Sequence, residues 1–206
     1  MEVFNLLTIG ITGGIGSGKS TVARILEKYG AKLILADDMA KEIVKPGMPA
    51  YESIILEFGT EILHKDGSIN RKKLGDIVFS DNSKLNILNQ ITHVIVAEKI
   101  SSQLRELRNK NKKLVVVEAI VPIEHGFLDL VDTVWVVLAS EPIRIERIIK
   151  RNDITHSEAK QRVRSQMSDA MYKSIADKVI YNNGNIAELE EKVWEALKNE
   201  DYSISK

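Results

Sequence analysis

Short runs of apolar residues alternate along the chain with longer, mixed stretches. Turn-forming or charged residues bound each run, which is typical of strands buried on both faces of a sheet. A final run is followed by an Asn-Asn-Gly turn. The runs are Leu6 to Ile11, Lys32 to Leu35, Leu114 to Val117, Thr133 to Leu138 and Lys178 to Tyr181. We therefore expect about five strands.

The stretches between these runs have helical spacing. From Ser20 to Tyr29 the apolar residues lie on one helical face, and Gly30 follows as a residue suited to the left-handed position after a helix. Buried strands that alternate with helices predict a parallel sheet covered on both faces. The fold class is therefore α/β, with three layers in the order α/β/α.

Two regions interrupt this alternation. Residues 49–109 have a helical, polar-rich pattern with several turn signals, and we interpret them as a helical insertion. Residues 141–168 form a second helical region that is strongly basic. Within it, Thr155 and Glu158 have the spacing of a capping box, which predicts a helix start.

Composition and charge exclude several classes of protein. The chain has no cysteine, so disulfide frameworks, iron–sulfur clusters and thiolate zinc sites are excluded. The 29 basic and 29 acidic residues balance, so no global field favours nucleic acid or an anionic membrane. No run has the length of a membrane helix and the first residues do not resemble a secretory signal, which predicts a cytoplasmic protein.

The strongest chemical signal lies directly after the first predicted strand. Residues 13–20 read Gly-Gly-Ile-Gly-Ser-Gly-Lys-Ser and match the pattern G-x-x-x-x-G-K-[ST] at the start of a predicted helix. In such a phosphate-binding loop the backbone N–H groups and the helix dipole hold an anion. The lysine, here Lys19, reaches the β- and γ-phosphates, and the hydroxyl group of Ser20 ligates the Mg²⁺ that bridges them.

Other motifs indicate which kind of nucleotide-binding protein this is. The D-x-x-G motif of GTPase switches is absent, and residues 109–112 read Asn-Lys-Asn-Lys, without the acid that guanine recognition needs. Small P-loop kinases instead have acids after the second strand and a basic lid. Asp37 and Asp38 follow the second predicted strand, and either carboxylate could accept a hydroxyl proton or hold metal-bound water.

At this point the chain resembles the dephospho-CoA kinase family, and the resemblance covers nearly its whole length. Residues 10–23 differ in one position from the family's G-L-T-G-G-I-G-S-G-K-S-T-V-A. Residues 35–47 are similar to D-A-D followed by A-R-x-V-V-x-P-G, although Leu35 stands in place of the first aspartate. Residues 66–79 are similar to d-G-x-i-d-R-x-x-L and i-V-F, and residues 182–184 match in spacing.

The resemblance implies that ATP, with Mg²⁺, donates its γ-phosphoryl group to the 3′-hydroxyl of the ribose of dephospho-CoA. It implies catalytic roles for Asp37, Lys19, Arg147 and Arg151, with both arginines on a lid. ATP would contact Gly14, Ile15, Gly16, Ser17, Gly18, Lys19, Ser20, Thr21 and Asn183, and Ser20 would also ligate the metal. The acceptor would contact Asp37, Arg71, His93, Glu118, Glu124, Arg162 and Gln166.

The same resemblance divides the chain into three parts. Residues 1–48, 112–140 and 176–206 would form the nucleotide-binding core, residues 49–111 the acceptor-binding insertion, and residues 141–175 the lid region. Two alternatives remain open at this stage. The protein could be another small P-loop kinase acting on a nucleoside monophosphate or a metabolite, or a regulatory module that binds ATP without transferring phosphate.

Overall fold

A five-stranded sheet forms the centre of the protein. The computed structural model describes residues 6–119 and 128–200. The strands are β1 (Leu7–Thr12), β2 (Lys32–Leu35), β3 (Leu114–Glu118), β4 (Thr133–Leu138) and β5 (Lys178–Tyr181). Their order in the sheet is β2-β3-β1-β4-β5, and β1 pairs in parallel with both β3 and β4. The predicted strands are thus confirmed, with β1 shifted by one residue.

Both faces of the sheet are covered by helices. On one face Ile9 and Ile11 pack into a buried cluster with helices α1 (Lys19–Lys28) and α9 (Ile186–Lys198). On the other face Val136 packs with Tyr172 of α8 (Asp169–Ser174). Because side chains alternate between the two faces of a strand, a strand buried on both faces is apolar throughout. The predicted three-layer arrangement is confirmed.

The first helix begins and ends close to the predicted residues. α1 starts directly after Gly18, which has a φ of 101°, and it carries Val22 and Leu26 on its buried face. Gly30 follows the helix with a φ of 93°, a left-handed conformation that costs glycine little because it has no Cβ. The chain thereby turns from α1 into β2.

The predicted helical insertion is helical in the structure. Its helices are α3 (Pro49–Phe58), α4 (Arg71–Phe79) and α5 (Asn82–Asn109), and the short helix α2 (Ala36–Glu42) precedes it. The side chain of Asn70 caps α4, since its oxygen accepts hydrogen bonds from the backbone N–H groups of Lys72 and Lys73, both at 3.1 Å. This cap fixes the backbone on which Arg71 begins the helix.

The basic region consists of short helices. α6 (Glu141–Asn152) and α7 (His156–Arg164) enclose a small cluster around Ile148 and Val163. The predicted capping box is present, because the Thr155 side chain accepts from the Glu158 N–H group while the Glu158 carboxylate accepts from the Thr155 N–H group. Those hydrogen bonds, from the Thr155 hydroxyl first and its N–H second, hold the pKa of Glu158 below its ordinary value.

The chain forms two compact units. One contains the described residues of 1–34, 107–122 and 131–206, and therefore the sheet core with the basic helices; the other contains residues 35–106 and 128–130. In the described ranges, no helix combines the length and apolar character needed to cross a membrane.

Candidate phosphate-binding site

A glycine-rich loop connects β1 to α1. Gly13, Gly16 and Gly18 have φ values of 143°, 78° and 101°. Residues that carry a Cβ rarely adopt such values. A Cβ on Gly13 would also collide with the carbonyl oxygen of Val137. The backbone conformation of the loop therefore requires glycine at these positions. The loop leads into the N-terminus of α1, whose first turn has no acidic residue, and a helix N-terminus of this kind favours anion binding.

Lys19 lies at the inner side of this loop. Its side chain is 7% exposed, and its Nζ donates hydrogen bonds to Gly13 O at 2.8 Å and Gly14 O at 3.4 Å. A buried ammonium group needs such partners. The contacts hold one positive charge beside the backbone that is predicted to bind phosphate.

Ser20 and Glu118 meet at the start of α1. The Ser20 Oγ donates a 2.7 Å hydrogen bond to the Glu118 carboxylate at the end of β3. A hydroxyl group beside a carboxylate supplies the hard oxygen ligands that Mg²⁺ prefers, and Mg²⁺ is usually held by one or two carboxylates together with phosphate oxygens. These two residues therefore fit a Mg²⁺ site, and the residues described contain no cluster of three or more His, Cys, Asp or Glu that would suit a metal bound by protein alone.

The outer side of the loop is held by α6 and by the residue that follows β5. Arg147 donates from Nη1 to Gly16 O and Ser17 O, both at 3.3 Å, and from Nη2 to the backbone oxygen of Asn182 at 3.1 Å. Asn182 is 5% exposed and donates from Nδ2 to Ser17 O at 2.8 Å. Arg147, predicted as a lid residue, thus contacts the loop itself.

Two further side chains contact Ile15 at the crest of the loop. Gln166 Oε1 accepts from the Ile15 N–H group at 2.6 Å, and Arg144 Nε donates to Ile15 O at 2.9 Å. Sequence reasoning assigned no role to Arg144 or Asn182. Their positions in the sequence could have indicated a role. Arg144 lies one helical turn before Arg147, and Asn182 lies inside the matched Asn-Asn-Gly turn.

Three further predicted residues belong to this unit: Asn183, Arg151 and Arg162. Asn183 accepts from the Ser140 N–H group at 2.9 Å and so contributes to the start of α6. Arg151 is exposed and donates to Asn152 Oδ1 at 2.9 Å. Arg162 is exposed on α7.

The predicted acceptor residues Asp37, Arg71 and His93 lie in the second unit. The Asp38 carboxylate forms a 2.6 Å ion pair with Lys41 one turn later. The pKa of Lys41 is raised, first by this hydrogen-bonded carboxylate and then by the charge of Asp37, while the charge of Arg71 opposes the shift. Asp37 and Arg71 are thus both close enough to Lys41 to act on its charge. Glu124 lies outside the described residues.

Comparison with known proteins extends the similarity far beyond the loop. The family model for dephospho-CoA kinase matches residues 7–188. A dephospho-CoA kinase of Geobacter sulfurreducens is 44% identical over 187 residues, which are 91% of this chain and 95% of the relative. One of Carboxydothermus hydrogenoformans is 42% identical over 190 residues, 92% of each chain.

A solved structure agrees with the sequence comparisons. The dephospho-CoA kinase from Campylobacter jejuni superposes with a TM-score of 0.66 at 28% identity, over 93% of this chain and 95% of that one. The similarity therefore includes the sheet, the glycine-rich loop and the helical regions, and the predicted P-loop α/β fold is confirmed.

Proposed function

The chain belongs to the dephospho-CoA kinase family, and we propose that it transfers the γ-phosphoryl group of ATP to the 3′-hydroxyl group of the ribose of dephospho-CoA. It is an ATP-dependent kinase that phosphorylates dephospho-CoA in coenzyme A biosynthesis. The observation that carries this assignment is the family match over residues 7–188, which includes the phosphate-binding loop and every described residue of the proposed site.

The loop binds the phosphates of ATP. Positive φ values at Gly16 and Gly18 curve the backbone, so that N–H groups of the loop converge on the anion at the N-terminus of α1. The Ser17 and Thr21 N–H groups instead bond Gly14 O and Gly18 O within the loop. Lys19 supplies a positive charge beside them. Because this charge and these dipoles are already in place before the reaction, they stabilise the negative charge of the transferring group without further reorganisation.

Ser20 and Glu118 would hold Mg²⁺, directly or through its water molecules. Mg²⁺ held there would neutralise part of the negative charge of the ATP phosphates. The hydrogen bond between the two side chains orients the Ser20 hydroxyl group. Glu118 adds a carboxylate at the end of β3, and P-loop NTPases hold Mg²⁺ with the loop Ser or Thr and an acidic residue. This contact supports a role for Glu118 on the nucleotide side of the reaction.

Transfer requires the acceptor hydroxyl oxygen to form a bond to the γ-phosphorus while the bond from that phosphorus to the β,γ-bridging oxygen breaks. The electron pair of the broken bond leaves with ADP, and the hydroxyl proton passes to the Asp37 carboxylate. Asp37 is half-buried in the first turn of α2, directly after β2. Asp38 is exposed and paired with Lys41, which favours Asp37 as the base or positioning residue.

Three further predicted residues have roles in the proposed reaction. Arg151, exposed on α6, would stabilise the transferring phosphoryl group as part of a lid formed by residues 141–175. Arg71 and His93 would bind the CoA moiety in the insertion formed by residues 49–111. Arg71 is exposed at the capped start of α4, where a cation can pair with a phosphate group of the acceptor.

Glu118→Gln should raise the Mg²⁺ concentration required for half-maximal activity by about tenfold, because the neutral amide keeps the size of the side chain and loses its charge. The measurement is the initial rate against Mg²⁺ concentration at fixed ATP. Glu191→Gln changes an exposed glutamate on α9 and should leave the requirement unchanged. An unaltered Mg²⁺ requirement in Glu118→Gln would remove this residue from the metal site.

The proposed reaction is tested by incubating the purified protein with Mg²⁺, ATP and dephospho-CoA and measuring CoA by mass spectrometry. Formation of CoA, with the new phosphate on the 3′-oxygen by tandem fragmentation, is the expected result. Adenosine monophosphate and shikimate, tested as alternative acceptors, should not be phosphorylated. ATP binding with no product from dephospho-CoA would contradict the proposal and leave the nucleotide site intact.

A further inference from the structure

Arg144 is a buried charged residue in contact with the phosphate-binding loop. It is 5% exposed. Its Nε donates to Ile15 O at 2.9 Å, its Nη2 donates to Gln166 Oε1 at 3.2 Å, and its Nη1 lies 3.7 Å from an Asp169 carboxylate oxygen. Burying a guanidinium group costs free energy unless such partners are present. Arg144 therefore belongs to the buried contacts of the loop and is not a solvated surface arginine.

Gln166 bonds the N–H group of Ile15, the residue whose carbonyl oxygen accepts from Arg144. One oxygen, Oε1, accepts from the Ile15 N–H group at 2.6 Å and from Arg144. Both main-chain polar groups of Ile15 are therefore bonded to side chains of the α6–α8 segment. Gly14 makes this approach possible, because a Cβ at that position would collide with the guanidinium group of Arg144.

These bonds fix the direction of the N–H groups on either side of Ile15. The peptide bonds are trans, and in a trans peptide the C=O group and the following N–H group point in opposite directions. Since Ile15 O points to Arg144, the Gly16 N–H group points away from Arg144. Since the Ile15 N–H group points to Gln166, Gly14 O points away from Gln166, and it accepts there from Lys19 Nζ and from the Ser17 N–H group.

We propose that Arg144 and Gln166 are positioning residues that hold the Ile15–Gly16 and Gly14–Ile15 peptides respectively, so that the Gly16 N–H group is directed at the phosphates of ATP. Neither side chain needs to contact the nucleotide. Without the two bonds these two peptide planes can rotate, because glycine at positions 14 and 16 resists rotation weakly. A rotated plane would present a carbonyl oxygen to the phosphates. This inference deepens the proposed function, since it assigns Gln166 to the ATP step and not to the acceptor.

The test uses three variants of the full chain and one matched control. Arg144→Met and Gln166→Leu remove the bonds to Ile15, while Arg144→Lys keeps a donor for Ile15 O. Arg24→Met is the control, because Arg24 is an exposed arginine on α1 and lies outside the proposed lid. For each protein, Mg²⁺-ATP affinity is measured calorimetrically without acceptor, together with the KM for ATP, the KM for dephospho-CoA and the Tm.

Arg144→Met and Gln166→Leu should weaken ATP binding by about 10- to 100-fold, the range expected for losing a hydrogen bond that involves a charged group or leaves a buried N–H unpaired. The KM for ATP should rise with it, and the KM for dephospho-CoA should stay as in the wild type. Arg144→Lys should retain most of the ATP affinity, and the control should match the wild type.

Two results would overturn the proposal. One is a lower Tm with wild-type ATP affinity in the folded protein, which would make the contacts structural only. The other is a raised KM for dephospho-CoA with unchanged ATP binding in Gln166→Leu, which would place Gln166 at the acceptor. If Arg144→Met does not fold, Gln166→Leu and Arg144→Lys still decide the question. Absence of CoA formation in the wild type would contradict the proposed function, while the ATP affinities would still test the positioning role.

Discussion

Replacing Lys19 by methionine should reduce kcat/KM for ATP by about a thousandfold, the size of effect found when a preorganised charge or donor at the transferring group is removed. The Lys19 ammonium group is nearly buried and bonded to Gly13 O and Gly14 O, so its position does not have to be assembled during the reaction. Methionine has a similar length and fills the same space. The loss therefore reports the charge and its hydrogen bonds more than a change in packing.

Lys28→Met provides the matched control for this experiment. Lys28 lies at the other end of α1, where its side chain is 68% exposed and pairs with Glu190. Its replacement should leave kcat/KM for ATP within about twofold of the wild type, because exposed ion pairs contribute little. Steady-state kinetics with both substrates and circular dichroism of each variant separate lost chemistry from lost folding. Comparable activity in Lys19→Met and Lys28→Met would exclude the proposed role of Lys19.

The second large effect is expected for Asp37→Asn, which should lower kcat by about 10²- to 10⁴-fold, the usual contribution of a general base. Asparagine keeps the shape of the side chain in the first turn of α2, but it cannot accept the hydroxyl proton. Because Asp37 is proposed to act on the acceptor, ATP affinity should remain close to that of the wild type. Single-turnover kinetics and calorimetric ATP titration measure the two quantities separately.

Asp38→Asn is the comparison that makes this result specific to one carboxylate. Asp38 is the neighbouring residue in the same helical turn, and its carboxylate pairs with Lys41. We expect Asp38→Asn to retain most of the turnover and to lower the pKa of Lys41 toward its ordinary value, since the Asp38 carboxylate is the largest cause of its upward shift. A collapse of kcat in Asp38→Asn with normal turnover in Asp37→Asn would exchange the two assignments.

Leu35 is a departure from the family's sequence pattern. The family places a carboxylate at this position, and here the leucine side chain is 37% exposed at the end of β2. The substitution leaves Asp37 as the half-buried carboxylate in the first turn of α2. The Asp37→Asn prediction is therefore especially informative in this chain.

Features that depend on residues close together along the chain can be predicted from the amino-acid sequence. Buried strands are recognisable because both of their faces need apolar residues, and the glycine, lysine and serine spacing of residues 13–20 predicts the phosphate-binding loop because the backbone path requires it. The capping box at Thr155 is a local hydrogen-bond pattern of four residues. In each case the physical cause acts within a few residues.

The side chains that hold the loop are distant from it in sequence, and their contacts arise from the tertiary fold. Ser20 and Glu118 are separated by 98 positions, Ile15 and Gln166 by 151, and Ser17 and Asn182 by 165. The sequence pattern around a basic residue such as Arg144 is the same whether its side chain faces solvent or a backbone carbonyl group. The parallel sheet makes the difference, because it brings the ends of β1, β3, β4 and β5 to one edge and lets their following segments converge on the loop.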